Sequence, residues 1–334
     1  MTLRSKPTLH FGWIWTRPTI YMRTCWYQEL HLTEKVPYVS RLGPPSTRRM
    51  TSKLNAEEIA KLILHDTKQS HVQVALTANR ITLVEKWSIP EGSKVLEIGC
   101  GQGECTAVLA EVVGPDGHVT ALDPAPPSHG APITLGEGQA FLSQGRLGDR
   151  ITWVEADPVA FLETNTEKYD IAVFAHCLWY FSSPTEIYNA LRHAGQHAKT
   201  VCIAEWSLSS ASADAHILTV LGKAVLECHK SESVSNVRTV LSPARFREAA
   251  DEVGLALKSE GIFTPVSDPF GYREARMFLH DRTLLEIDEF VKDERQKSAV
   301  LALRDAVASS VQRVGEVEKV ESMDTWWATF EQKQ

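Results

Sequence analysis

The sequence predicts an α/β fold in which helices flank a doubly wound, mostly parallel sheet of seven strands. Three observations support this fold class. A short apolar run, Val95–Ile98, leads into a loop with glycine at every second position, and a helical pattern follows over Glu104–Val113. Short β-branched runs then alternate with further helical patterns, such as residues 135–147, which is the arrangement of a parallel sheet. A chain of 334 residues is long enough for one such domain with insertions.

The predicted strands are short and separated by helical or loop segments. In chain order they comprise residues 95–98, 119–122, 151–154, 169–175, 200–204, 255–265 and 324–330. The fourth is a nearly continuous apolar run, as expected for a parallel strand covered on both faces. Two helices precede the first strand: Asn55 and Glu58 form a capping pair for one, and the other runs over Ser70–Trp87. Helical insertions are predicted after strands five and six, at about 207–240 and 267–316.

Composition and charge describe an ordinary globular protein with an acidic body. Hydrophobic residues make up 43% of the chain and charged residues 23%. Residues 1–50 hold eight Lys or Arg and two acidic residues, or +6, so the net charge of −7 leaves −13 for the rest. An acidic body argues against a nucleic-acid substrate, and no apolar run approaches the ~18–20 residues of a membrane span. The six cysteines include no Cys-x-x-Cys pair, which indicates reduced thiols and no structural metal site.

The glycine loop has the spacing of a nucleotide-binding turn, and its charges discriminate between nucleotides. The pattern is Glu97-x-Gly99-x-Gly101-x-Gly103, and Glu104 stands where a dinucleotide fingerprint has its third glycine. A carboxylate there would repel a pyrophosphate, and Glu97 adds negative charge that suits a cationic ligand. The pattern resembles motif I of the class I S-adenosylmethionine-dependent methyltransferases, which have a Rossmann-like fold and bind a cofactor with an ammonium and a sulfonium group.

The resemblance extends over residues 90–206, which look most like the methyltransferase domain of ubiquinone/menaquinone-biosynthesis enzymes. It implies a single methyltransferase domain over 51–334 with S-adenosyl-L-methionine as cofactor. The long segment between strands six and seven departs from the short hairpin usual in this class, and it builds either a lid over the acceptor or a homodimer surface. The cofactor-binding residues predicted in this way are Glu97, Gly99, Cys100, Gly101, Gly103, Asp123, Ala156, Asp157 and His176.

Two of these carboxylates have competing interpretations. Asp123 closes the second strand, where it can accept both ribose hydroxyls, although an aspartate before Pro124 also suits a turn. In the resembling family the position of Asp157 accepts the exocyclic amine of adenine. Asp157 before Pro158 equally fits a helix N-cap, and both roles are compatible.

Catalytic and acceptor residues are expected where the fourth and fifth strands end, since ligands of open α/β sheets lie beyond the carboxyl ends of the strands. His176 leaves strand four and is the first candidate for a general base, and His216 on the following insertion is the second. Trp179, Tyr180 and Trp206 could wall a flat acceptor. The alternative is that these histidines and aromatic side chains only pack against the core. His71 and Arg80 of the second helix could also face the pocket or be solvated.

Three function hypotheses follow. The first is a methyltransferase that acts on a small organic metabolite, because the Asn/Asp-Pro-Pro-Tyr motif of nucleic-acid base methyltransferases is replaced by Ala175-His-Cys-Leu178. The second is a cofactor-binding protein of the same fold that does not methylate, such as a regulator or a cyclase. The third is a nicotinamide-dependent oxidoreductase, against which Glu97 and Glu104 argue. The acceptor atom is left open among oxygen, nitrogen, sulfur and carbon, because fold does not fix substrate.

Residues 1–50 differ from the rest of the chain and are predicted to form a poorly ordered basic extension, or to precede a natural start at Met50. The first 28 residues contain four basic and no acidic side chains, which loosely resembles a mitochondrial transit peptide. The prolines and few serines of this segment fit a transit peptide poorly. The predicted location is therefore cytoplasmic, with mitochondria as the alternative.

Overall fold

The computed structural model describes residues 54–233 and 235–333, so the predicted extension at 1–50 lies outside the described residues. Within these described residues, seven strands form one sheet: β1 Lys94–Ile98, β2 His118–Asp123, β3 Ile151–Glu155, β4 Tyr169–Ala175, β5 Ala198–Trp206, β6 Leu255–Phe263 and β7 Thr325–Gln332. Their order is β3-β2-β1-β4-β5-β7-β6. Neighbours from β3 through β5 are parallel, whereas β7 is antiparallel to both β5 and β6. The predicted fold class is confirmed.

The strand order reverses its direction of growth between β1 and β4. From β1 the chain builds outward through β2 to β3, and it then returns to place β4 and β5 on the other side. A crevice therefore opens beyond the carboxyl ends of β1 and β4, which is where open α/β sheets bind ligands. The fold alone thus fixes the edge of the sheet at which a site is expected.

Eleven α-helices accompany the sheet in the described residues. They are α1 Ala56–Ala60, α2 Ser70–Trp87, α3 Glu104–Val113, α4 Leu135–Ser143, α5 Pro158–Thr164, α6 Pro184–His197, α7 Asp214–Glu227, α8 Pro243–Glu252, α9 Phe270–Leu279, α10 Asp281–Phe290 and α11 Glu294–Val314. None of these helices is both long enough and apolar enough to cross a bilayer.

Alternate residues of β4 supply the two faces of the core. Ile171 and Val173 pack in one buried cluster with side chains of α1, α2 and α3. Ala172 and Phe174 pack in the other cluster, with α6 and α8. Successive strand side chains point to opposite faces, so the continuous apolar run of β4 is explained by a sheet covered on both sides. This central packing holds the ends of β1, β4 and β5 in fixed relative positions.

Several predicted details differ from the observed elements. The helix predicted over 135–147 ends at Ser143, because the chain turns there through a loop into a short 3-10 helix at Gly148–Arg150. Asn55 caps α1 as predicted by accepting from two backbone N–H groups. The other half of that capping pair is wrong, since the carboxylate of Glu58 pairs with Lys61 at 2.6 Å.

The two insertions fold together as one group of helices. α7, from the first insertion, packs against α9 and α11, from the second, through buried residues that include Ala215, Phe278 and Val307. Val300 of α11 is also buried, whereas Val314 at its end is 37% exposed. Phe270 of α9 reaches the crevice at the end of the sheet. Whether the long insertion is a lid or a homodimer surface stays a prediction.

Candidate functional site

One cavity of about 700 Å³ lies beyond the carboxyl ends of four strands. Ile98, Asp123, Ala175 and Trp206, from β1, β2, β4 and β5, all line it. Cavities of this size hold small organic ligands. The cavity is continuous from the glycine loop to α9, so two ligands can meet within it.

The three glycines of the loop serve different purposes. A Cβ at Gly101 would meet no atom within 4 Å and would project into the cavity, so this backbone is open to a ligand. A Cβ at Gly99 would lie 2.5 Å from Cβ of Cys177, and one at Gly103 would lie 2.7 Å from the ring of Trp153. Gly99 lines the cavity but is also required by packing, and Gly103 packs without lining the cavity. Cys100 lines the cavity as predicted.

Asp123 organises the loop and faces the cavity. Its Oδ2 accepts from the Gly101 N–H at 2.9 Å, and its Oδ1 accepts from the Ala125 N–H at 2.9 Å. A carboxylate offers about four acceptor sites, so each oxygen retains capacity for a ribose hydroxyl. The turn role weighed in the sequence is present, and it is compatible with ribose binding.

Glu97 is a buried carboxylate beneath the loop. It is 1% exposed, lines the cavity and accepts a hydrogen bond at 2.5 Å from the Thr106 hydroxyl. Burial raises the pKa of Glu97 to about 7, against the opposing effects of hydrogen bonds from Thr106 and Cys105 and of the Arg80 charge. A cationic group nearby would favour the ionised form, so the site fits the ammonium or sulfonium of the predicted cofactor.

Two predicted cofactor-binding residues, Ala156 and Asp157, directly follow β3, and only Asp157 lines the cavity. Asp157 lines the cavity and also caps α5, its Oδ1 accepting from the N–H groups of Val159 and Ala160. The N-cap interpretation is confirmed, and Oδ2 makes no hydrogen bond with the described residues. Ala156 does not line the cavity and packs against the core instead.

Arg80 of α2 also lines the cavity, and its charge acts to lower the pKa of Glu97. Its Nε is buried and has no hydrogen-bond partner among the described residues. A guanidinium there can hold a carboxylate, such as that of a methionine moiety. His71 of the same helix is exposed and does not line the cavity.

His176 and His216 lie in different environments. His176 lines the cavity at the end of β4, with its side chain 11% exposed. His216 is fully buried behind Trp206, and its Nδ1 accepts from the Met323 N–H at 3.0 Å. Burial lowers the pKa of His216 to about 3. The structure therefore brings His176 to the site and places His216 in the packing behind it.

The three predicted acceptor-side aromatics all line the cavity. Trp179 is nearly buried and donates its indole N–H to the Leu241 carbonyl at 3.1 Å. Tyr180 is half exposed at the wall, and Trp206 is buried with its ring 6.2 Å from that of Phe270. These rings give the cavity an aromatic wall at the ends of β4 and β5.

Sequence reasoning missed a polar cluster contributed by the insertions. Glu274 of α9 lines the cavity, is buried, and has its pKa raised by that burial. It accepts from Asn236 at 3.2 Å and lies 3.5 Å from the Lys223 ammonium. No local signal marked these residues. Glu205, a further buried carboxylate of the cavity, could have been found, because it stands at the end of β5 beside the end of β4.

Comparison with known proteins decides between the function hypotheses. A family model described as "Methyltransferase domain" matches residues 69–260, more than half of the chain. The chain belongs to this methyltransferase family. The methyltransferase uses S-adenosylmethionine as its methyl donor, so the predicted cofactor and enzyme class are confirmed, and the hypotheses of a non-methylating protein and of a nicotinamide oxidoreductase are set aside.

Its relatives include Methyltransferase phomM' and Methyltransferase phomM of Diaporthe leptostromiformis, each 28% identical over 319 residues, with 75% of this chain and 82% of the relative covered. Among solved structures, it is similar to a cyclopropane-fatty-acyl-phospholipid synthase-like protein from Lactobacillus casei. That match has a TM-score of 0.69 and 26% identity, and covers 83% of this chain and 98% of the other. The narrower resemblance to ubiquinone/menaquinone-biosynthesis enzymes stays a prediction.

Proposed function

We propose that this methyltransferase transfers the methyl group to a small organic acceptor, and that His176 receives a proton at the acceptor end of the cavity. The observation that carries the proposal is the continuity of the cavity. The same space is lined by Gly101 and Asp123, after β1 and at the end of β2, and by His176, Trp206 and Phe270, from the ends of β4 and β5 and from α9. A donor on the glycine loop and an acceptor against the aromatic wall would therefore share one enclosure.

The cofactor half of the cavity fits S-adenosylmethionine by the chemistry of its residues. The open backbone at Gly101 admits a nucleoside, Asp123 retains acceptor capacity for its ribose, and Asp157 has a free oxygen for its adenine. Glu97 and Arg80 offer opposite charges for an amino-acid moiety. When bound, the cofactor supplies a methyl group on a positively charged sulfur, which a nucleophile can attack.

The contribution of the chain is mainly to orient two reactants and exclude water. Orientation of this kind can supply roughly 7–11 kcal/mol of barrier reduction, whereas a general base adds ~10²–10⁴-fold in rate. The aromatic wall and the helices of the two insertions orient the reactants and exclude water. His176 acts as the general base, and its loss should reduce the rate without abolishing cofactor binding.

Nucleic acid is not proposed as an acceptor, because the body of the chain carries a formal charge of −13. The cytoplasmic location and a homodimer through the long insertion stay predictions.

The test is the formation of S-adenosylhomocysteine from S-adenosylmethionine when the purified protein is incubated with fractions of a small-molecule extract. Mass spectrometry of the same fractions should show one compound gaining one methyl group. Gly101→Val, in which a side chain would project into the cofactor half of the cavity, should form no product. If every fraction gives only background S-adenosylhomocysteine, or if only macromolecules are methylated, the proposed small-molecule function is wrong.

A further inference from the structure

The backbone of His176 is held in a conformation that L-residues rarely adopt. Its φ is +54°, in the left-handed region, and its N–H donates to the Ala204 carbonyl at 2.8 Å. The imidazole packs against Trp206, with ring centroids 4.6 Å apart. A non-glycine residue in this region is strained, and such strain clusters at functional sites. His176 directly follows β4, and in this conformation it lines the cavity.

A buried carboxylate stands beside this imidazole. Glu205 is 1% exposed at the end of β5, and its Oε1 lies 3.5 Å from Nδ1 of His176. Oε1 accepts from the Trp206 N–H at 3.0 Å, whereas Oε2 has no partner among the described residues. Nδ1 of His176 is also buried without a hydrogen-bond partner. Burying a carboxylate is costly unless a donor satisfies it, and the nearby ring nitrogen can be that donor.

We propose that Glu205 is a positioning residue that holds His176 in the Nδ1–H tautomer, and that the acceptor of the methyl group is a hydroxyl, whose proton such a base can take. This inference rests on the proposed function. With Nδ1 turned to Glu205, Nε2 is the nitrogen left for the cavity that His176 lines. A neutral Nε2 is a proton acceptor, and the carboxylate behind the ring stabilises the imidazolium that forms.

The step balances in atoms and charge. The hydroxyl oxygen attacks the methyl carbon and forms the new C–O bond, and the S–CH₃ bond breaks with its electron pair staying on sulfur. The hydroxyl proton passes to Nε2 of His176. A hydroxyl needs such a base at the moment of attack, because its own oxygen is a weak nucleophile. A neutral amine attacks through its lone pair and needs no base in that step.

The other titratable groups near His176 do not compete with Glu205 for its imidazole. His216 lies behind Trp206 and stays neutral, since burial lowers its pKa to about 3. Glu274 is engaged by Lys223 and Asn236 rather than by His176. Glu205 is therefore the carboxylate that contacts the imidazole in the described residues.

The first measurement is ¹⁵N NMR of the histidine side chains in the full chain, with His176 assigned by the signal lost in His176→Gln. The wild-type protein should show the Nδ1–H tautomer at His176, and Glu205→Gln should lose that preference. Glu163→Gln, which changes an exposed carboxylate on α5, should leave the signal unchanged. A wild-type Nε2–H tautomer, or the same tautomer in Glu205→Gln, would overturn the positioning role. This measurement needs no acceptor.

The second measurement compares methyl transfer to a panel of small phenols and alcohols with transfer to matched neutral amines. The wild-type enzyme should methylate members of the hydroxyl set, and Glu205→Gln should reduce kcat/KM for them by about 10²-fold while the Kd for S-adenosylhomocysteine stays within about twofold. Methylation of amines only would overturn the hydroxyl assignment while leaving the proposed function intact. Binding of S-adenosylhomocysteine without transfer to any compound of either set or of a cell extract would overturn both.

Discussion

Asp123→Ala should weaken the binding of S-adenosylhomocysteine by about 1.5–3 kcal/mol, the range for hydrogen bonds to a charged group. Both carboxylate oxygens already accept one backbone N–H at 2.9 Å, from Gly101 and Ala125. Each therefore has capacity for one more donor, and the two ribose hydroxyls supply a matching pair. The expected energy corresponds to an increase in Kd of about 10- to 150-fold. Isothermal titration calorimetry measures it directly.

The loop role of Asp123 must be separated from ribose binding, because the substitution also removes the acceptor of the Gly101 N–H. A double-mutant cycle does so with an analogue of S-adenosylhomocysteine that lacks both ribose hydroxyls. The wild-type protein should discriminate strongly against the analogue, and Asp123→Ala should discriminate little. Asp116→Ala, at an exposed turn before β2, is the matched control. An unchanged Kd in Asp123→Ala, or equal discrimination in both proteins, would refute ribose recognition by this carboxylate.

Three further predictions concern the same cavity. Gly101→Val should abolish S-adenosylhomocysteine binding in calorimetry while the circular dichroism spectrum stays native, because its side chain would enter open space and a β-branched residue would strain the loop at the φ of +54° that Gly101 adopts. Retained binding would show that the ligand lies elsewhere. The pKa of Glu97 rises from 4.5 to about 7 on folding, so the folded state binds one more proton than the unfolded state between these values. The free energy of unfolding should therefore fall by up to about 3 kcal/mol as the pH rises from 4.5 to 7.5. Denaturant titrations of Glu97→Gln should lack this fall. His216→Gln should lower the free energy of unfolding by about 1–3 kcal/mol, and Tm with it, because it disturbs a buried hydrogen bond. It should keep kcat within about threefold, and a loss of kcat at unchanged Tm would restore a catalytic role for His216.

Much of the cofactor half could be predicted from sequence because its signals are local. The strand Lys94–Ile98, the glycine loop and the helix Glu104–Val113 are contiguous, so periodicity and spacing identify them together. Asp123 and Asp157 follow at the ends of the next two strands, where parallel strands bring successive residues to one edge. The loop glycines were the exception, since the sequence could not show that Gly103 is required by its packing against the Trp153 ring and not by contact with a ligand.

The acceptor half was predicted less completely. His216 was a reasonable candidate by residue type, but the packing of α7 buries it behind Trp206. Glu274 and Asn236 come from two insertions, and only the packing of those helices brings them to one wall. Side chains that meet from distant segments leave no periodic or spacing signal in the chain.

By itself, the sequence determined the order of strands and helices, the glycine loop and the edge of the sheet that carries the site, because short-range periodicity and turn chemistry set these features. Tertiary structure alone decided the partnership of His176 with Glu205. His176 directly follows β4 and Glu205 lies in the neighbouring parallel strand β5, and their side chains meet only because β4 and β5 pair in register and His176 adopts a positive φ. Burial then gives that contact its chemical consequence, since a carboxylate shielded from water must find its donor within the protein.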